Sequence, residues 1–68
     1  MTVTLNGKGV TLETPVTLEE LLRKHDIPTD QNGMAIAVNW KVVRRADWPS
    51  QKLSNGDSIE IVKAMQGG

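Results

Sequence analysis

The 68-residue chain contains no cysteine, no phenylalanine and no tyrosine, and it has a single histidine. Without cysteine it can form no disulfide, and without a His/Cys cluster it lacks the usual ligands of a zinc site. Many domains of this size depend on such cross-links. The fold must therefore rest on a small core of aliphatic residues, methionine and two tryptophans, with an expected stability of roughly 0.05–0.15 kcal/mol per residue.

Neither sign of charge is in excess, because eight basic residues balance eight acidic ones. Nucleic-acid-binding proteins usually carry a basic surplus, since phosphate contacts supply most of their non-specific affinity. No apolar run approaches the roughly 20 residues of a membrane-spanning helix, and the first residues lack the features of a signal peptide. We therefore expect one cytoplasmic domain with no nucleic-acid or membrane partner.

An alternation of apolar and polar residues predicts a β-hairpin near the start of the chain. Val3 and Leu5 share one side of the first strand. Asn6 and Gly7 then form the strongest short hairpin signal, because both tolerate positive φ. The second strand is expected at about residues 9–13.

Thr17 and Glu20 predict the start of a single helix, since together they can form a capping box. Three leucines fall at helical spacing and give one apolar stripe: Leu18, Leu21 and Leu22. Pro28 disfavours helical geometry at the residue before it, so the helix is expected to end at Ile27 and Pro28.

The second half of the chain predicts three further strands, at residues 34–39, 42–43 and 58–65, with a crossing segment of one helical turn at 44–49. One helix covers only one face of a sheet. The sequence therefore predicts an α+β, ubiquitin-like β-grasp fold, a mixed sheet with one main helix packed on one face and the last strand returning beside the first. Residues 1–65 would form this domain and residues 66–68 a flexible C-terminal diglycine tail.

No set of side chains predicts conventional catalysis. His25 has no cysteine or acid–base partner and is better explained as a cation at the helix C-terminus. The adjacent Glu19 and Glu20 point in different directions from a helix and cannot act as a carboxylate pair. Arg44 and Arg45 could bind a phosphate or acidic groups, although a solvated loop is the better interpretation. The chain is therefore expected not to be an enzyme.

The C-terminal Gln66-Gly67-Gly68 is the candidate for chemistry. Two glycines, having no Cβ, can enter a narrow slot and carry the terminal carboxylate into another protein's active site. ATP can convert this carboxylate to an acyl-adenylate, and a sulfur nucleophile can displace AMP to give a thiocarboxylate. A chain end with no function is the alternative interpretation of the glycines alone.

The strand before the tail is apolar on both faces. One face carries Ile59, Ile61, Lys63 and Met65, and the other carries Glu60, Val62 and Ala64. Such a strand can bury one face and dock a partner with the other. We predict partner contacts at Val62, Ala64 and Met65; for Val62 and Ala64, burial of both faces by the fold is an equally good interpretation.

Three segments together resemble the ThiS family of sulfur carriers in thiamin biosynthesis. They are Asn39-Trp40-Lys41-Val42-Val43-Arg44-Arg45-Ala46-Asp47-Trp48, Asn55-Gly56-Asp57-Ser58-Ile59-Glu60-Ile61 and Gln66-Gly67-Gly68. The family typically has a strand ending in Asn, an apolar pair before an Arg-containing segment with a Trp, a Gly-Asp turn and a terminal Gly-Gly. The resemblance covers the whole chain, but Met65 and Gln66 stand where members often have smaller or apolar residues. This departure leaves open which pathway receives the sulfur.

The resemblance implies a β-grasp fold and covalent chemistry at Gly68. An E1-like adenylyltransferase, ThiF, would adenylate its carboxylate with ATP and magnesium, and the adenylate would become a thiocarboxylate. Gly67 and Gln66 would give the carboxylate access to the partner's site. The sulfur would then pass to a thiazole synthase, ThiG. The carrier itself would bind no cofactor.

Three other interpretations stay open. The small subunit of molybdopterin synthase shares the fold and the diglycine, although its relatives are usually longer and have proline-rich apolar residues before the glycines. A carrier could also serve another sulfur pathway, such as that of cysteine or a natural product. A β-grasp module that binds RNA or protein without covalent chemistry is disfavoured by the neutral charge and the diglycine end.

Overall fold

The computed structural model describes residues 1–13, 15–28 and 33–63. These residues form five strands, one α-helix and one turn of 3-10 helix at Arg45–Asp47. The strands are β1 (Thr2–Leu5), β2 (Lys8–Thr11), β3 (Met34–Val38), β4 (Lys41–Val43) and β5 (Ser58–Lys63), and the helix is α1 (Leu18–Lys24). Each predicted element is present, with shifts of one to three residues at several ends.

The five strands form one mixed sheet in the order β2-β1-β5-β3-β4. β5 runs parallel to β1 and antiparallel to β3, whereas β1–β2 and β3–β4 are antiparallel hairpins. The last strand therefore occupies the middle of the sheet beside the first, as the sequence predicted. This position fixes the direction in which the chain leaves the domain.

The core lies between α1 and one face of the sheet. The three helix leucines are fully buried in the same cluster as Val3, Ile36 and Ile59 from the three central strands. Alternation along each strand turns the residues between them toward the other face. No helix within the described ranges is long and apolar enough to span a membrane.

The predicted capping box forms at the start of α1. The Glu20 backbone N–H donates to the Thr17 hydroxyl at 3.3 Å, and the Thr17 N–H donates to the Glu20 carboxylate at 3.0 Å. Two backbone donors that lack partners within the helix are satisfied in this way. The sequence signal at this end of the helix is therefore confirmed.

The predicted end of the helix at Pro28 is wrong, because α1 already ends at Lys24. Asp26 adopts a left-handed conformation (φ 55°), which Asp tolerates better than most residues. Its N–H bonds to the Arg23 carbonyl at 3.1 Å and closes the last turn. The helix therefore ends at these residues, before Pro28 can affect its geometry.

Both hairpins use the same two-residue turn. Asn6 and Gly7 have φ values of 50° and 85°, and Asn39 and Trp40 have values of 52° and 69°. Left-handed φ at both central residues is the requirement of a type I′ turn. Glycine meets it easily at the second position of the first hairpin, whereas the second hairpin places a tryptophan there.

Candidate functional site

Most of the predicted site lies outside the described residues. This holds for Ala64, Met65, Gln66, Gly67 and Gly68, and for the predicted boundary between domain and tail. The structure does describe β5, which ends at Lys63 and leads directly into these residues. Five residues, 64–68, follow this strand, and a chain of that length reaches at most about 18 Å.

β5 is held from both sides. It pairs with β3 at five consecutive positions, from Ile59 to Lys63. On the β1 side, the Asn6 N–H donates to the Ile59 carbonyl at 2.8 Å, and the Ile61 N–H donates to the Asn6 side chain at 2.7 Å. The tail therefore starts from a strand fixed in the middle of the sheet.

The two faces of β5 differ as the alternation predicted. Ile59 is fully buried and Ile61 half-buried toward the helix. Val62 lies on the opposite face with 60% of its surface exposed. The interpretation in which the fold covers both faces is therefore wrong for Val62, and an apolar side chain remains available to a partner.

The strand register extends this exposed face across the sheet. Val62 lies opposite Ala35 of β3, and Ala37 of the same strand lies opposite Val42 of β4. Directly opposed residues share a face, and Val42 is 72% exposed. We call these four residues the outer apolar strip. It runs diagonally from the start of the tail to the edge of the sheet.

Sequence reasoning missed three members of this strip: Ala35, Ala37 and Val42. The apolar run at 34–39 predicted a buried strand, with no outward-facing residues assigned. In the structure, Met34, Ile36 and Val38 face the core, whereas the alanines between them face outward. The alternation of small with large side chains in this run was the available signal.

Asn39 and Asp57 fasten the second hairpin to the start of β5. The Asn39 side chain donates to the Asp57 carboxylate at 3.0 Å and accepts from the Ser58 N–H at 3.0 Å. The second carboxylate oxygen of Asp57 accepts from the Ser54 N–H at 2.7 Å. These contacts give a structural role to the Asn and Gly-Asp positions that the sequence analysis had singled out.

The two arginines after β4 have local partners. Arg44 lies 3.5 Å from the Asp47 carboxylate. The Arg45 guanidinium lies 4.7 Å from the centre of the Trp48 ring. That ring is 2% exposed, and its N–H donates to the Val43 carbonyl at 2.9 Å. The crossing segment is thus anchored by Trp48 rather than being only a solvated loop.

The side chains set aside as catalytic candidates also have structural roles. His25 is the exposed C-cap residue of α1, and Glu19 forms a 2.8 Å ion pair with Arg23. Glu20 belongs to the capping box. Among the described residues, no group of three or more histidines, cysteines or carboxylates is placed to hold a metal ion. The described part of the site therefore consists of an exposed apolar strip and a strand paired on both sides.

A family model described as the ThiS family matches residues 3–68. The chain belongs to the ThiS family. Two curated relatives, both sulfur carrier proteins ThiS, agree over almost their full length. The Thermus thermophilus protein is 35% identical, with 97% of this chain and 98% of that protein covered. The Escherichia coli protein is 29% identical, and both chains are covered completely.

Two solved structures match the fold as well. A crystal structure of the thiamine biosynthesis protein ThiS from Geobacter metallireducens superimposes with a TM-score of 0.84 at 26% identity, and both chains are covered completely. An NMR structure of a thiamine biosynthesis protein from the same organism gives 0.76 at 26% identity, with 100% of this chain and 88% of that chain covered. The predicted β-grasp fold and the resemblance to ThiS-like sulfur carriers are confirmed. Membership of a family of small carriers fits the prediction of a non-enzyme.

Proposed function

We propose that the chain is a sulfur carrier for thiazole formation in thiamin biosynthesis, with the carboxylate of Gly68 as its reactive group. The observation that carries the proposal is the ThiS-family match, which extends through the diglycine to residue 68. The site geometry supports it, since a strand fixed in mid-sheet leads to the tail and an apolar strip lies exposed beside it.

The chemistry at Gly68 would take two steps. A carboxylate oxygen attacks the α-phosphorus of ATP, which releases pyrophosphate and leaves an acyl-adenylate. With hydrosulfide as nucleophile, a carbon–sulfur bond forms while the carbon–oxygen bond to AMP breaks, and one proton is released. The products are AMP and a thiocarboxylate, and no oxidant or reductant is consumed. ATP and magnesium would belong to the partner enzyme.

The partners would be a ThiF-like adenylyltransferase and a ThiG-like thiazole synthase. Both would need the tail extended into their active sites, with the β-grasp domain held outside. Gly67 and Gln66 would occupy the entrance, while Val62, Ala64 and Met65 would contact the partner's surface. Because the first step consumes ATP, we place the protein in the cytoplasm.

Intact-mass measurement tests the proposal directly. The chain is incubated with ATP, magnesium and the ThiF-like enzyme of the same organism, first without and then with a sulfide donor. An AMP adduct should form, followed by replacement of one oxygen by sulfur on the last residue. The E. coli ThiS protein with its own activating enzyme serves as the positive control. Absence of both species, while the control reacts, would refute the carrier function.

The receiving pathway is tested in a second assay. The thiocarboxylate form is offered separately to a thiazole synthase with its other substrates and to the large subunit of molybdopterin synthase. Sulfur should appear in the thiazole product alone. Transfer to the pterin product instead would place the chain in the other pathway while leaving the carrier chemistry intact.

Val62→Asp is expected to weaken docking without unfolding the domain. An isolated carboxylate buried at an apolar interface is strongly unfavourable, so the KM for the carrier in adenylation should rise at least tenfold, or about 1.4 kcal/mol. Because Val62 is largely exposed in the free protein, the free energy of unfolding should change by less than about 0.5 kcal/mol.

Thr11→Asp provides the matched control for this prediction. Thr11 is exposed and pairs with Thr2, so it lies on the same face of the sheet but at the β2 edge, away from the strip. The same charge added there should leave the KM unchanged. An unaltered KM for the Val62 variant, with its fold intact, would remove the strip from the docking surface.

A further inference from the structure

The turn of the second hairpin holds a tryptophan, Trp40, in a backbone conformation that bulky residues disfavour. At the corresponding position of the first hairpin the sequence places Gly7, whereas the second hairpin has Trp40 at φ 69°. A bulky L-residue in the left-handed region is an uncommon and unfavourable arrangement. Asn-Gly, which the chain already uses at Asn6 and Gly7, would satisfy this turn without that cost.

Among the described residues, Trp40 contributes little to packing. Its side chain is 77% exposed, and it belongs neither to the core nor to the partly buried residues packed against the core. Trp48 shows the contrast, since it is 2% exposed and its ring N–H is hydrogen-bonded. Unfavourable backbone conformations persist mainly at functional positions, and tryptophan is enriched among residues that dominate binding energies.

The chain around Trp40 adds a second apolar residue and unpaired positive charge. Val42, two residues on, is 72% exposed. Lys41 and Lys52 line an open groove of about 510 Å³ along β4, and within the described part of the chain neither ammonium group has an ion-pair partner.

The carboxylates of the same groove are already engaged. Asp57 accepts hydrogen bonds from the Asn39 side chain and the Ser54 N–H, and Asp47 pairs with Arg44. The positive charge of the lysines is therefore left for a ligand. An apolar anchor beside unpaired cations complements a protein segment that carries both apolar and acidic side chains.

The surface around Trp40 lies far from the start of the tail but adjoins the outer apolar strip. The second hairpin turn lies beside the start of β5, where the Asn39 N–H donates to the Ser58 carbonyl at 2.8 Å. The tail leaves after Lys63, five residues on, which is about 17 Å along the strand. Val42 belongs to the outer apolar strip, whereas Lys41 lies opposite Val38 and therefore on the helix side of the same strand. Because β4 is an edge strand and both residues line the groove along it, a partner that covers this edge can contact the strip, the turn and the lysines together.

We infer that Trp40, with Val42, Lys41 and Lys52, anchors the carrier on its activating enzyme by binding an acidic segment of that enzyme. The inference rests on the proposed function. One contact would lie at Trp40 and the other at Val62, near opposite ends of β5. Together they would fix the orientation of the domain, so that the tail points toward the nucleotide site. Trp40 is thus a positioning residue whose contribution appears in the affinity for the carrier.

Trp40→Gly tests this directly because it restores an Asn-Gly turn. The thermal midpoint of the free protein should stay the same or rise by a few degrees, since the unfavourable φ is relieved. The KM for the carrier in adenylation should rise at least tenfold, while kcat at saturating carrier changes less than twofold. A purely structural role for Trp40 would instead lower the thermal midpoint and leave the KM unchanged.

Charge reversal tests the acidic segment. Lys41→Glu and Lys52→Glu should each raise the KM severalfold and weaken its dependence on salt concentration. Lys8→Glu is the matched control, because Lys8 is exposed and follows the Asn6-Gly7 turn at the opposite edge of the sheet. It should leave the KM as in the wild-type chain. An equal effect at Lys8 would mean that only net charge matters.

The outcomes separate this inference from the proposed function. If the wild-type chain is not adenylated, both fail. If it is adenylated and Trp40→Gly has the same KM, only the anchoring role fails. Loss of sulfur transfer to the thiazole synthase with unchanged adenylation would show that the activating enzyme is the wrong occupant, and would overturn the inference as stated.

Discussion

Removal of Gly68 is expected to abolish adenylation while leaving the domain folded. The carboxylate would retreat by one residue, or about 3.3–3.6 Å, whereas reacting atoms must meet at about 3–3.5 Å. A misplacement of only ~1 Å can cost about 10²-fold in rate, so the loss should exceed that factor. Every buried apolar residue of the described core lies between Val3 and Ile59, and the free energy of unfolding should change by less than about 0.5 kcal/mol.

Intact-mass measurement follows adenylation, and urea denaturation gives the free energy of unfolding. Gly68→Ala keeps the chain length and adds only a methyl group. It therefore distinguishes the effect of moving the carboxylate from the effect of added side-chain bulk. It should retain more activity than the truncated chain. Adenylation of the truncated chain at the full rate, or loss of its fold, would contradict the assignment of Gly68 as the reactive end.

Trp48→Ala is expected to remove a large part of the stability of the domain. Replacing a buried tryptophan by alanine costs about 3–5 kcal/mol, and a domain of 68 residues has a total stability of only about 3–10 kcal/mol. The variant also leaves the Val43 carbonyl without its indole donor and removes the ring on which Arg45 rests. The crossing segment would then lose its main attachment to the core.

Trp48→Phe separates packing from hydrogen bonding. It keeps most of the aromatic surface but lacks the ring N–H, so we expect a loss of about 1–2 kcal/mol. Circular dichroism during urea denaturation provides the midpoints, with Trp40→Gly as the comparison at the exposed tryptophan. A midpoint for Trp48→Ala equal to that of the wild-type chain would mean that the buried ring contributes little.

Local signals predicted the secondary structure well, because each depends on residues close together in the chain. The Thr17 and Glu20 box fixed the start of the helix, and the Asn-Gly pair fixed the first turn. The error at the end of the helix has the same local origin. Asp26 can adopt a left-handed conformation, but many aspartates do not, so Pro28 was the stronger signal in the sequence alone.

The candidate site was predicted only in part. The outward direction of Val62 follows from a period of two, whereas the diglycine lies outside the described residues and stays a prediction. The rest of the strip does not follow from such a pattern, because β3, which carries Ala35, joins β5 only through pairing between segments about 20 residues or more apart. Val42 joins the strip through the local β3–β4 hairpin, and so reaches Val62 only by way of that pairing. Pairing partners and register are long-range choices that a local pattern leaves undetermined.

The sequence by itself determined the absence of disulfides and the approximate positions of the strand and helix segments. It divided each strand into two faces but did not say which face the helix would cover. Tertiary structure made that choice, and it separated two tryptophans eight residues apart: Trp48 lies in the core, whereas Trp40 remains in solvent. The physical reason is that burial depends on which distant segments meet, and only the assembled sheet and helix settle it.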